Sequence, residues 1–194
     1  MPVRNKRKIV LASASPRRIE LLKEWGLHFE VLPSNASEKT NLTRPSYIVK
    51  SLSYKKGLDI AKKRPEALVI SADTIVFLNG KIVGKPKNKK ESEKIIRELN
   101  GSLHKVYSGV SIIDNISGKS SVFYDAASVK MRKLSEEALK KLFGKHMDKA
   151  GAYAVQDSGD AFAKKVYGDY YTVVGLPRIK LARELKKFGV NLKK

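Results

Sequence analysis

The chain has 194 residues, enough for one domain or for two small lobes, and either arrangement buries enough surface to fold without covalent staples. It contains no cysteine, which excludes disulfides and thiolate metal sites and leaves oxygen or imidazole ligands for any metal. With 40 Lys and Arg against 19 Asp and Glu, the formal charge is +21, a balance that attracts any polyanion without choosing among them.

The cations are spread as pairs such as Lys55-Lys56, Lys62-Lys63, Lys89-Lys90 and Lys186-Lys187. That dispersal favours a lysine-rich solvated surface over a dedicated nucleic-acid face. Ile9 to Ala12, behind the basic stretch Met1 to Lys8, is too short for a signal peptide or a membrane span. A cytoplasmic protein with no membrane partner is expected.

Residues 8 to 12 suit a short buried strand leading into a helix that begins at Pro16 and stops at Gly26. Phe29 to Leu32 reads as a second short strand, Pro33 to Arg44 as a polar loop, and Pro45 to about Lys63 as a helix. Ala67-Leu68-Val69-Ile70 predicts a buried strand ending near Asp73, and Asn79-Gly80 predicts a tight hairpin. Asn88 with Glu91 predicts a capped helix that stops at Asn100-Gly101. Two long strands follow, Lys105 to Asp114 and Ser120 to Met131, and then a helix from Ser135 to about Lys145. Strands at Ala152 to Val155, Ala161 to Val166 and Tyr170 to Val174 precede a last helix from Pro177. Interspersed helices and hairpins predict a mixed α/β fold, with a twisted sheet and flanking helices, over residues 1–194.

Arg17 and Arg18 fall in the first turn of the helix at Pro16, where exposed amides already make the site positive. An anion against that helix end would relieve the conflict, and Ser13 and Ser15 add hydroxyl donors, so the loop reads as a phosphate cradle. The same residues also describe an ordinary Ser15 N-cap followed by Pro16, with both arginines in water. The glycines and lysine of a Walker loop are absent. Asp73 at a strand end, Glu38 in the polar loop and Lys85 between Gly84 and Pro86 supply the charges that phosphoanhydride cleavage needs. A turn-forming Asp, a solvated Glu and a surface Lys56 are equally ordinary readings of each residue taken singly.

Taken in order, several segments resemble one family. These are Leu11-Ala12-Ser13-Ala14-Ser15-Pro16-Arg17-Arg18 with Glu20-Leu21-Leu22, Ala72-Asp73-Thr74, Gly84-Lys85-Pro86, Asp148 to Tyr153, Gln156, Gly168-Asp169-Tyr170-Tyr171 and Val174-Gly175-Leu176-Pro177. In this order the chain resembles the Maf nucleotide pyrophosphatases. The resemblance implies two lobes around a cleft, a fold related to the inosine triphosphate pyrophosphatases, and a homodimer. It also implies hydrolysis of a nucleoside triphosphate between the α and β phosphates with Mg²⁺ or Mn²⁺.

Asp73 matches the family's proton acceptor, Lys85 and Lys56 its functional lysines, and Glu38 an acidic residue of the site, with Glu38 and Asp73 the implied metal ligands. Ser13, Ser15 and Arg18 are the implied phosphate ligands. Arg17, Thr74 and Gln156 stand where branches differ, and this combination resembles the branch acting on dTTP and UTP rather than on 7-methyl-GTP. A glutamine can pair with both the donor and the acceptor edge of a uracil-type base. The same chemistry on 7-methyl-GTP or inosine triphosphate, and a basic nucleic-acid-binding or septation-regulating protein, are the alternatives. The loop around Glu38 carries less acid than is usual in the family, and Asn88 stands where aspartate is common.

Overall fold

The computed structural model describes residues 7–155 and 162–193. Among these residues the sheet has seven strands, in the order β2 (Glu30–Val31), β1 (Ile9–Leu11), β3 (Leu68–Leu78), β5 (Leu103–Asp114), β6 (Lys119–Met131) and β7 (Ala163–Tyr167), with β4 (Lys81–Val83) paired to β3. Helices flank this mixed sheet, as the interspersed sequence pattern predicts. By internal packing the chain divides into two compact units. The first comprises Met1–Asp73, Gly109–Tyr124 and Ile179–Lys194, and the second Thr74–Ser108 and Asp125–Arg178.

In the first unit, β1 (Ile9–Leu11) lies between β2 (Glu30–Val31) and β3 (Leu68–Leu78), parallel to both. Parallel neighbours need crossovers, which α1 (Pro16–Glu24) and α2 (Pro45–Lys63) supply. Because such crossovers are right-handed, and α1 leads from β1 out to β2 while α2 leads from β2 back past β1 to β3, the two helices cover opposite faces. Strands covered on both faces are apolar throughout, which is why Leu68, Val69 and Ile70 form an uninterrupted run and all three are fully buried. Leu181 and Leu185 of α6 (Arg178–Lys186) are buried as well.

The second unit is built on antiparallel pairs. β3 turns into β4 (Lys81–Val83) through Asn79 and Gly80, whose φ values of 49° and 79° are the two positive angles a tight primed turn requires. β6 (Lys119–Met131) pairs with β7 (Ala163–Tyr167). α3 (Lys89–Leu99) presents Ile95, Ile96 and Leu99 to a core shared with Val129, Met131 and Phe162. β5 (Leu103–Asp114), like β3 and β6, contributes residues to both units.

Four local expectations are corrected. β3 does not end near Asp73 but continues to Leu78, because its later residues Val76 to Leu78 find a new partner in β4. The helix after Ser135, α4 (Glu136–Lys140), stops well short of Lys145 and gives way to turns. Ala150–Ala152 forms a 3-10 turn with Gly151 at φ 79°, not the start of a strand. Tyr170–Val174 is a helix, α5, despite its β-branched and aromatic residues. Asp169 accepts the Tyr171 N–H at 2.9 Å and Gly175 closes the far end at φ 116°, so the two caps override local propensity. Of the strand expected from Ala161, the first residue lies outside the described residues.

Candidate active site

β1 ends at Leu11, and the Ala12 N–H makes one more bond, to the Ile70 carbonyl at 2.8 Å, before the chain leaves the sheet. Strand order reverses about β1, and the crevice beyond the carboxyl ends at such a switch point is where open α/β sheets bind ligands. Ser13 is buried there. Its hydroxyl accepts from the Ser15 N–H at 3.3 Å and from Arg18 Nη1 at 3.1 Å, while the same Nη1 donates to the Ala72 carbonyl at 2.8 Å.

Ser15 occupies the N-cap position of α1 with Pro16 after it, as the ordinary reading expects, but it makes no side-chain capping bond, and no acidic residue occupies the first turn. Burial lowers the Arg18 guanidinium to about 10, Asp73 opposes that shift, and the neighbouring Arg17 reinforces it. A cation desolvated in this way, beside a helix N-terminus, is stabilised by any anion that arrives.

On the other side of β3, Lys56 of α2 donates from Nζ to Asp73 Oδ1 and to Glu38 Oε1, each at 2.6 Å. The side chains of Lys56 and Asp73 are 15% and 10% exposed, that of Glu38 60%. The Lys56–Asp73 contact is thus an interior pair, whose disruption would leave one charge buried and uncompensated, whereas the Glu38 arm is solvent-screened.

The loop bearing Glu38 is held to α2 by contacts absent from the sequence reading. Asp59 Oδ2 accepts from the Ser34 hydroxyl at 2.8 Å and the Asn35 N–H at 3.0 Å, and Lys55 Nζ donates to the Lys39 carbonyl at 3.1 Å. Hydrogen bonds from Lys63 and Ser34 hold the Asp59 carboxyl below its ordinary range. Asp59 follows Lys56 by three residues and so shares its side of the helix, a spacing that was readable as a clamp. The first unit therefore gathers Ser13, Arg18, Glu38, Lys56 and Asp73, and leaves Ser15 and Arg17 half-buried at the start of α1.

Thr74 and Lys85 belong to the second unit. Ser108 Oγ donates to the Thr172 carbonyl at 2.7 Å, and Thr74 Oγ1 lies 2.8 Å from Ser108 Oγ. A hydroxyl has one proton, so Thr74 must be the donor in their contact, and toward any other group its oxygen can only accept. Thr172 Oγ1 in turn donates to Asp125 Oδ2 at 2.7 Å. Lys85 is exposed on the segment after β4, between a buried Pro86 and Gly84, whose carbonyl accepts the Gly151 N–H at 3.1 Å. That bond ties two separated sequence motifs together. Gln156 lies outside the described residues.

Fold and first unit together define an α/β protein with an anion-attracting helix start beside a carboxylate–ammonium cluster at a switch point. The chain belongs to the Maf-like proteins, whose family model matches residues 8–188. It is 44% identical over 182 residues to the dTTP/UTP pyrophosphatase of Elusimicrobium minutum, covering 94% of this chain and 99% of that protein. It is 41% identical over 191 residues to the dTTP/UTP pyrophosphatase of Dictyoglomus thermophilum, covering 96% and 99%. Among solved structures, the Staphylococcus aureus Ham1 protein shares the fold with a TM-score of 0.56 at 15% identity, covering 95% of this chain and 100% of that one. No described helix is long and apolar enough to cross a membrane.

Proposed function

We propose that this chain hydrolyses dTTP and UTP to the monophosphate and pyrophosphate. The observation that carries this reading is the Lys56 ammonium held 2.6 Å from both Asp73 and Glu38, near the cationic entry of α1. The names of the relatives support it. Water attacks the α phosphorus, the bond from that phosphorus to the bridging oxygen breaks, and pyrophosphate leaves. Asp73 takes the proton of the attacking water. Arg18, Lys56 and Lys85, with the hydroxyls of Ser13 and Ser15, bind phosphate oxygens and oppose the negative charge that builds up on them.

Among the described residues no group of three or more His, Asp or Glu converges on one point. Two carboxylates meeting at one ammonium do fit an ion held by one or two carboxylates together with substrate phosphates, the habit of Mg²⁺. Glu38 and Asp73 would hold Mg²⁺ or Mn²⁺, which when bound neutralises phosphate charge. Arg17, Thr74 and Gln156 select the base. A Thr74 oxygen restricted to accepting suits the N3–H of uracil and thymine. On the same reading the protein works as a cytoplasmic homodimer.

The test is to incubate purified protein with UTP and Mn²⁺ and assay UMP and pyrophosphate. Asp73→Asn is expected to lower kcat by roughly 100-fold or more, the range for loss of a general base. Turnover by Asp73→Asn at the wild-type rate would refute the assignment.

A further inference from the structure

We propose that Gly57, Ser71 and Ser111 are positioning residues that set how deeply α2 sits on the sheet, and thereby fix the Lys56–Asp73 contact. The inference rests on the reading of Lys56 and Asp73 as reacting groups, but its geometric content does not.

α2 approaches β3 and β5 more closely than side chains would ordinarily permit. A Cβ on Gly57 would lie 2.6 Å from Ser111 Oγ and 2.9 Å from both Ser71 Oγ and Ile113 Cδ1. On the sheet side the same need is met at Gly109, where a Cβ would run into the Val49 carbonyl. Neither glycine has a positive φ, so what they provide is room, not an unusual backbone conformation.

Into this gap the sheet sends two hydroxyls. Ser71 Oγ donates to the Ser53 carbonyl at 2.6 Å, and Ser111 Oγ lies 2.6 Å from Ser71 Oγ and 3.2 Å from the same carbonyl. Ser111 donates to that carbonyl as well, so both hydroxyls of the sheet are directed at one carbonyl of α2. Both serines are fully buried, so each bond fixes the helix at a point water does not reach.

Register makes this seat matter for chemistry. Ser71 and Asp73 are two residues apart on β3 and face α2 together, while Ser53, Lys56 and Gly57 lie within about one turn of α2. One strand segment and one helical turn therefore carry both the hydroxyl seat and the ion pair. Displacing the turn moves the Lys56 backbone relative to Asp73, and neither side chain has much open space in which to compensate.

The experiment is a double-mutant cycle on UTP hydrolysis with Gly57→Ala, Lys56→Ala and the pair. Gly57→Ala is expected to lower kcat about 10- to 100-fold, the scale of a misplacement near 1 Å, with KM changed less than about threefold. In the Lys56→Ala background the same substitution is expected to change kcat less than about twofold, because the group it acts through is gone. A full repeat of its effect there would overturn the proposal, since a merely structural role does not depend on Lys56. If Gly57→Ala does not fold, Ser71→Ala, which adds no bulk, takes its place in the cycle with an expected loss of about threefold or more.

The crystal structure of the variant reads the same inference without catalysis. A Lys56 Nζ to Asp73 Oδ1 separation beyond about 3.5 Å supports it, that being longer than any hydrogen bond, and a retained contact sinks it. Absence of any triphosphate turnover by the wild type would instead defeat the proposed function and leave the structural readout to decide this one.

Discussion

The two units solve burial differently. In the first, β1 runs parallel to both its neighbours and the polar interior includes charges, with Lys56, Asp73 and Arg18 near the carboxyl end of β1. In the second, the strand pairs β3–β4 and β6–β7 are antiparallel, and the buried polar groups are neutral: the Ser108 hydroxyl donates to the Thr172 carbonyl, and His104 Nε2 lies 2.6 Å from the Tyr153 hydroxyl. Parallel strands end at a common edge, and their crossovers deliver loops and helix starts to it, so charged side chains from distant sequence meet there. Antiparallel hairpins offer no such convergence, and there His104 meets Tyr153, a member of the apolar cluster.

The largest test of this contrast concerns close packing in the ionic unit. Gly109→Ala forces a methyl into the Val49 carbonyl, a backbone atom that no rotamer change can move aside. Overpacking of this kind should destabilise by about 3 kcal/mol, measured as a shift in the urea midpoint. A loss under about 1 kcal/mol would mean that α2 is free to rise, and that depth is not what the first unit conserves energy to maintain.

Next in size is the neutral interior of the second unit. Burial pushes His104 down to about 4, and His104 Nδ1 is buried without a hydrogen-bond partner among the described residues. An unfolded histidine titrates near 6.5, so between pH 6.5 and 4 the unfolded chain binds a proton that the folded chain refuses. Stability is therefore highest above pH 6.5 and falls as the pH drops, by about 2 kcal/mol at pH 5 from this residue. Carboxylates contribute in the same direction, so the informative quantity is the difference between wild type and His104→Gln. Unfolding free energies measured at pH 7 and pH 5 should fall less for the variant by that amount. Equal pH slopes would show that His104 is charged or solvated in the folded state.

How much of this was legible follows from what each signal encodes. Pro16, Pro45, Asn79-Gly80 and Asn88 act through their immediate neighbours, and the elements they announce begin where the sequence placed them. Asp73 was found but mislocated in its strand, because β3 is prolonged by pairing with β4, a tertiary effect the residues before it do not carry. Tyr170–Val174 was misread because its β-branched residues speak for a strand, while single caps at Asp169 and Gly175 decide the outcome. The seat of α2 was invisible: Gly57, Ser71 and Ser111 are unremarkable singly, and their meaning appears only when helix and sheet meet.

The smallest prediction tests a feature read correctly from sequence. Asn88 Oδ1 accepts the Glu91 N–H at 2.8 Å, while Glu91 Oε2 reaches back to the Lys87 N–H at 2.8 Å rather than to the N–H of Asn88 itself. The two side chains thus satisfy two donors at the start of α3, with an acidic group against the positive end of the helix. Asn88→Ala removes one acceptor and should cost about 1 kcal/mol, whereas Asn88→Asp keeps the acceptor, adds favourable charge and should stay within a few tenths of wild type. Because α3 supplies Ile95, Ile96 and Leu99 to the apolar core, the loss should appear as a lowered urea midpoint of the whole transition and not as local fraying. Fraying confined to α3, seen as fast amide exchange at its first turn with an unchanged midpoint, would show that packing alone holds the helix and the cap merely decorates it.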